Sequence, residues 1–117
     1  METLIIETQE QAEALVVNNL LKFEGHLIFK CRINAGWSIK AGGYIKAGWS
    51  IKAGEYINAG EYINAGEYIE AGEYIKAGAD WGIYCGISLR ISNKSQATIT
   101  AKSEPANILL GLFVKQE

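Results

Sequence analysis

From Ile33 to Asp80 the chain is one six-residue unit written eight times without insertion or deletion: INAGWS, IKAGGY, IKAGWS, IKAGEY, INAGEY, INAGEY, IEAGEY and IKAGAD. A strict period of this kind belongs to stacked units, each of which contacts its neighbours and cannot bury an apolar face alone. Six is a multiple of the strand period of two and not of the helical 3.6, so in a helix the isoleucines would spread over several faces and leave no core stripe. The repeat therefore reads as β. Within each Ile-x-Ala the Ile and Ala share one face, and the middle residue (Asn34, Lys40, Lys46, Lys52, Asn58, Asn64, Glu70, Lys76) points the other way. Leu27, Phe29 and Cys31 before the repeat, and Ile83, Cys85, Ile87, Leu89 and Ile91 after it, keep the same odd-numbered parity, so the apolar column is expected to continue at both ends. Burying one Ile is worth roughly 2 kcal/mol, which makes the Ile column the dominant stabilising term. A Gly stands at the fourth place of every unit, from Gly36 to Gly78. It is read as the point where a backbone taking φ > 0 turns the corner.

The number of units per coil decides which residues stack. Three give a triangular prism with contacts between i and i+18: Ile39, Ile57 and Ile75 then form one column, Asn34, Lys52 and Glu70 run down an outer face, and Lys52 meets Glu70. The same register sets Glu55 over Glu73 at about 4.8 Å, a repulsion of roughly 1 kcal/mol or less in water. Two per coil give a flat roll, and the alternation Trp37, Gly43, Trp49 fits that twelve-residue period. A flat coil filled with Ile and Ala has a thin core, which favours three.

A solenoid leaves strand edges and open core at its ends, so the flanks are expected to be caps on a single domain covering residues 1–117. Residues 1–26 read as an N-terminal strand and helix, 27–91 as the β-helix with perfect hexads at 33–80, and 92–117 as a C-terminal β cap. Thr3 to Glu7 has strand character. Thr8 and Gln11 match a capping box, and Ala12, Leu15, Val16, Asn19 and Leu20 follow helical spacing, which predicts a helix from Gln9 to Leu21 lidding the first coil. Gly82 to Ser92, Gln96 to Lys102 and Ala106 to Lys115 read as longer strands, separated by Asn93-Lys94-Ser95 and by Glu104-Pro105. Both faces of the last strand are apolar and want cover. A homodimer through Ile108, Leu110, Leu112, Phe113 and Val114 is the expectation, set against burial within the chain.

The hexads resemble the hexapeptide-repeat β-helices of bacteria and, more loosely, the polymer-forming bactofilins; the resemblance spans Ile33 to Asp80, about two-fifths of the chain. The pattern departs from the left-handed hexapeptide family in placing the small residue two after the aliphatic one instead of two before. Ile-x-Ala-Gly arrays are also similar to those of short proteins from bacteria, phages and mobile elements. Acyltransferases built on hexapeptide β-helices use a His general base beside the coils, and carbonic anhydrases of that architecture use three His ligands. Here His26 is the only histidine, and neither set can be assembled in one chain. It reads as a structural or surface residue, and no cofactor is expected. Cys31 and Cys85 read as small buried thiols.

A formal net charge of −2 over 117 residues gives no general electrostatic attraction to nucleic acid or an anionic membrane, so direct nucleic-acid binding is not expected. The chain has no apolar run near the ~18 residues that span a bilayer and no signal-peptide pattern, so the expected location is cytoplasmic. What remains is surface. The corner dipeptides change from Trp37-Ser38 and Trp49-Ser50 to Glu55-Tyr56, Glu61-Tyr62, Glu67-Tyr68 and Glu73-Tyr74, while Lys40, Lys46 and Lys52 lie in the first half. These residues are the expected binding surface, because Trp and Tyr offer large rigid area with a polar tip; the competing reading is that the rings pack as ladders that stiffen the corners. The expectation for the whole is an all-β solenoid that is not an enzyme and binds a protein. Its resemblance to phage proteins implies an inhibitor of a bacterial defence system, anti-CRISPR in kind, with a CRISPR effector or other defence protein as partner. The alternatives are a self-assembling, bactofilin-like structural protein and a reduced acyltransferase-like enzyme.

If the isoleucines share one dry interior, Ile57→Asp places an uncompensated charge there and unfolds the protein. Far-UV circular dichroism reads this directly: a β spectrum retained by the variant would contradict the buried column.

Overall fold

The structure is a computed structural model and describes residues 1–86, 98–101, 105 and 108–115. Three parallel sheets wrap a single apolar interior. Sheet A holds β1 (Thr3–Ile6), β3 (His26–Phe29), β6 (Ile45–Ala47), β9 (Ile63–Ala65), β12 (Ile83–Tyr84) and β14 (Ile108–Leu110), in that order. Sheet B holds β2 (Leu20–Phe23), β5 (Ser38–Ala41), β8 (Tyr56–Ala59) and β11 (Tyr74–Lys76). Sheet C holds β4 (Ile33–Ala35), β7 (Ile51–Ala53), β10 (Ile69–Ala71), β13 (Thr98–Ala101) and β15 (Leu112–Lys115). The chain is thus an all-β parallel solenoid with one short helix near its N-terminus.

Register settles the coil. Ile39 pairs with Ile57 and Ile57 with Ile75; Ile33 pairs with Ile51 and Ile51 with Ile69; Ile45 pairs with Ile63. Each step is three hexads, so the two-hexad roll is excluded, and Trp37, Gly43 and Trp49 lie on three different corners. None of the eight repeat isoleucines is more than 3% exposed. Strict alternation places them there, since every Ile-x-Ala strand carries its Ile and Ala inward and its middle residue outward.

The solenoid register extends further back than the perfect repeats. Leu21 pairs with Ile39, Phe23 with Ala41, Leu27 with Ile45 and Phe29 with Ala47, so residues 21–26 and 27–32 act as degenerate hexads. This shortens the expected helix. Helix α1 spans Gln9–Ala14, started by the expected capping box in which the Thr8 hydroxyl accepts from the Gln11 backbone N–H and the Gln11 side chain accepts from the Thr8 N–H. Leu20 and Leu21 belong to β2, because Asn18 (φ 52°) and Asn19 (φ 62°) form a two-residue turn across which Val17 and Leu20 exchange backbone hydrogen bonds. Asn tolerates this left-handed geometry better than most residues.

The helix stands where a sheet C strand would lie between β1 and β2, and it finishes the edge of β4. The Gln9 carboxamide donates to the Asn34 carbonyl at 2.9 Å and accepts from the Asn34 N–H at 3.2 Å, satisfying the two groups a neighbouring strand would have satisfied. Ala12 of the helix faces the core and is fully buried.

The glycines have a different reason from the expected one. Among the described residues, positive φ at glycine occurs at Gly86 and Gly111 and not within the hexads. Instead, a Cβ added to Gly54, Gly60, Gly66, Gly72 or Gly78 would run into the carbonyl oxygen of the glycine one coil earlier. The corners stack too closely for a side chain. Gly42 would meet the Glu24 carbonyl in the same way, whereas Gly36 and Gly48 meet nothing within 4 Å.

The C-terminal region is also rearranged. The expected strand Ala106 to Lys115 is broken at Gly111 (φ 130°) into β14 on sheet A and β15 on sheet C, and β13 pairs with β15 in parallel. The expected strands beginning at Gly82 and Gln96 appear as β12 and β13; Ile87, Leu89, Ile91 and the turn Asn93-Lys94-Ser95 lie outside the described residues. Among the described residues, no helix is long and apolar enough to cross a membrane.

Close backbone approach predicts a contrast. Gly60→Ala destabilises by about 1–3 kcal/mol, as overpacking does, whereas Gly36→Ala is neutral or stabilises by up to about 1 kcal/mol through the unfolded chain. Urea midpoints of the two variants measure this, and equal effects would remove the explanation.

Candidate functional site

With the interior filled by Ile and Ala, the residues left for recognition are the outward middle positions and the corners. The register fixes the outer columns. Sheet B presents Lys22, Lys40, Asn58 and Lys76; sheet C presents Asn34, Lys52 and Glu70; sheet A presents Ile28, Lys46, Asn64 and Tyr84. Lys40, Lys46 and Lys52, close in sequence, therefore face three directions and form no basic cluster. Lys52 does meet Glu70, at 3.4 Å, as the three-hexad register requires.

The corners divide the remaining expected residues. Between sheets C and B lie Trp37, Glu55, Tyr56, Glu73 and Tyr74. Tyr56 and Tyr74 stack with centroids 5.1 Å apart, and Glu55 accepts from the Asn19 amide at 2.6 Å. Trp37 packs against the core, and its indole N–H is buried without a partner among the described residues, so this ring fills the corner more than it displays itself. Between sheets A and C lie Trp49, Glu67 and Tyr68. Arg32 sits 4.8 Å over the exposed Trp49 ring and 3.6 Å from the Glu67 carboxylate. Glu61 and Tyr62 lie on the third corner. The four corner glutamates thus spread over all three edges and make no anionic stripe.

The third corner, between sheets B and A, carries the longest run of neighbouring rings among the described residues. His26 stacks on Tyr44 at 3.9 Å, Tyr44 on Tyr62 at 4.7 Å, and Tyr62 meets Trp81 at 6.1 Å with its ring tilted by 44°. Three coils and the start of a fourth supply one ring each. Parallel stacking at the strand spacing holds them, and each aromatic pair adds about 0.5–1.5 kcal/mol beyond its buried area. His26 is anchored further by its Nδ1, which accepts from the Tyr44 N–H at 3.0 Å. A side chain at position 43 would strike that imidazole, which explains why one repeat alone reads Gly-Gly-Tyr. The Tyr62 hydroxyl is pushed up from its ordinary pKa by burial first, then by Tyr44 and Glu61. The three outer rings His26, Tyr44 and Tyr62 are half-buried, and Trp81 is exposed.

His26, Tyr44 and Trp81 are not among the residues expected to bind a partner. The signal was arithmetic: 26, 44 and 62 are eighteen apart, which becomes visible once the coil holds three hexads. Trp81, nineteen from Tyr62, is one residue out of phase. Beside it, Ala79, Asp80, Trp81, Gly82, Tyr84 and Leu109 line an open cleft of about 320 Å³.

No protein-family profile, curated protein or solved structure matches the chain. Its surface has to be read from its own geometry. Among the described residues, no three His, Cys, Asp or Glu side chains converge as metal ligands. Cys85 is buried, and burial pushes its thiol up to about 11 from 9.0. Cys31 occupies a corner position instead of the inward column and is half-buried; burial, then Glu10, raises its pKa.

A thiol whose pKa is raised by folding keeps its proton in the native state after the unfolded chain has lost it. Stability from Cys85 is therefore complete below about pH 8 and declines as pH rises from 9.0 towards about 11. Urea titrations across that range should show a shallower decline for Cys85→Ala; an unchanged slope would contradict the burial.

Proposed function

We propose that this chain is a non-enzymatic protein-binding module, and that it docks its partner through the ring-bearing corner formed by His26, Tyr44, Tyr62 and Trp81. The observation that carries this reading is the spacing of the rings. Each is held against the next by the coil beneath it, at 3.9, 4.7 and 6.1 Å, so the array is ordered before any partner arrives. Preorganisation lowers the cost of association, since side chains that are already fixed lose little freedom on binding. Aromatic side chains are also enriched at protein interfaces and at their hot spots. The flanks supply a mixed rim: Lys40 and Lys76 from sheet B on one side, Lys46 from sheet A on the other, with Glu61 on the corner itself.

The biological setting we assign is inhibition of a bacterial defence system, with a CRISPR effector or another defence protein as the partner. Support for it comes from the resemblance of the Ile-x-Ala-Gly array to hexapeptide-repeat β-helices and to short proteins of phages and mobile elements. An acyltransferase-like role is less well supported, because His26 Nδ1 is occupied by the Tyr44 backbone and its ring by the Tyr44 phenol.

Plasmid-interference assays in cells carrying a panel of CRISPR systems test the proposal. Wild-type protein should protect the plasmid against at least one system, and Tyr44→Ala with Tyr62→Ala should lower that protection at least tenfold. If that pair melts early, the exposed Trp81→Ala replaces it. Protection against none of the systems, or full protection by variants that remain folded, overturns the reading.

A further inference from the structure

The last repeat departs from the pattern. Where the four units before it end in Gly-Glu-Tyr, it reads Gly78-Ala79-Asp80, and Trp81 follows. The Trp81 backbone N–H donates to the Gly78 carbonyl at 2.9 Å, so residues 78–81 close a tight turn. The indole packs against Gly78, where an added Cβ would stand 2.9 Å from its Cδ1. Trp81 meets Tyr62 at 6.1 Å and a tilt of 44°, unlike the parallel rings at 3.9 and 4.7 Å earlier in the ladder. Tyr62 therefore does not stack over the indole, which stays 45% exposed.

The cleft of about 320 Å³ opens beside that ring, at the low end of the roughly 300–1,000 Å³ of ligand pockets. Trp81 and Tyr84 give it aromatic walls, and a Cβ added at Gly82 would run into Leu109 and stand 3.1 Å from the Tyr84 hydroxyl. Ile108 and Phe113, two of the five residues expected at a dimer contact, pack against the core, while the shift of register between Ile83 and Tyr84 brings Leu109 outward to the cleft. Asp80 is exposed and is the only charged residue of the six that line it. Among the described residues it makes no ion pair. Lys76, the nearest lysine in sequence, stands on the outer face of sheet B and lines none of the cleft, and the neighbour of Tyr84 on sheet A is the neutral Asn64. Glu61, whose carbonyl accepts from the Gly78 N–H at 2.9 Å, adds a second acidic residue to the corner.

The same chain shows what such a set of groups holds. At the corner between sheets A and C, Trp49 is also 45% exposed, and Arg32 lies 4.8 Å over its ring and 3.6 Å from the Glu67 carboxylate. An indole and a carboxylate there share one guanidinium. Trp81 and Asp80 offer the same two groups, and among the described residues no cation covers them. We propose that the cleft takes an arginine side chain of the partner protein, its guanidinium face on the Trp81 indole and its N–H groups towards the Asp80 carboxylate. A guanidinium is planar and always charged, stacks on aromatic faces and donates to carboxylates as a fork, whereas the lysine ammonium is a strongly hydrated point charge. The Tyr84 hydroxyl supplies a further acceptor. That the arginine belongs to a protein rests on the docking reading of this corner; the guanidinium chemistry of the cleft does not.

The indole N–H signals of Trp37, Trp49 and Trp81 in proton–nitrogen NMR spectra of the intact chain read the site directly. N-acetyl-arginine amide, titrated to about 20 mM, well past the ~1 mM of a weak site, should move the Trp81 signal saturably and leave those of Trp37 and Trp49 in place. N-acetyl-citrulline amide, of the same shape without the charge, should give no saturation, and N-acetyl-lysine amide should bind about threefold or more weakly. Asp80→Asn, at an exposed position, should weaken the arginine amide by about threefold or more, the loss of one solvent-exposed ion pair, with an unchanged far-UV spectrum. No saturable shift at Trp81, equal binding of the citrulline or lysine amide, or an Asp80→Asn variant that binds as wild type does overturns the inference. Plasmid protection that depends on Tyr44 and Tyr62 without arginine binding keeps the docking corner and removes this site; arginine binding by a protein that protects no plasmid keeps the guanidinium site and removes the docking reading.

Discussion

The stacking of isoleucine on isoleucine, coil above coil, is the contact on which everything else in this molecule depends. Each strand of the repeat has three or four residues, too short to persist alone. Its main-chain groups are satisfied by the coils on either side, and its Ile and Ala close the interior. Loss of one column would leave three parallel sheets with no shared face, and parallel sheets require cover. Because the interior is apolar and fully occupied, chemistry is displaced to the outer columns and the corners.

Those corners obey a second constraint, the coil-to-coil spacing. At Gly54, Gly60, Gly66, Gly72 and Gly78 the carbonyl one coil earlier leaves room for glycine alone. Where the following residues stack, rings pair with rings, as in His26, Tyr44 and Tyr62 or Tyr56 and Tyr74. The ladders therefore stiffen the corners and present their edges to solvent at the same time. The two readings of the aromatic residues weighed from the sequence are compatible, because a ring fixed by stacking remains available along its rim. Trp37 is the exception: its indole goes to the core side, and its N–H finds no partner among the described residues.

The ends show how far local chemistry reaches. Thr8 and Gln11 announce a helix start through a capping box that involves four consecutive residues, and it forms as read. The helix stop is less legible. Leu15, Val16 and Leu20 continue a helical spacing, yet Leu20 and Leu21 gain more by pairing with Ser38 and Ile39 of the next coil. Similarly, the apolar run from Ile108 to Val114 reads as one strand, but Gly111 divides it between two sheets. In both cases a contact distant in sequence outweighs a local preference.

The β class, the inward face and the length of the unit are legible in the chain before it folds, because alternation and a six-residue period are relations between near neighbours. It also contained the Lys52 and Glu70 pair, conditional on three hexads per coil. That the three repeat lysines face apart, that His26 and Trp81 extend the tyrosine ladder, and that Leu109 rather than Ile108 faces outward emerges with the closed coil. Each of these depends on residues about eighteen or more positions apart becoming neighbours, and on where a bulge shifts the register. Such distances exist only after the coil has closed on its isoleucines.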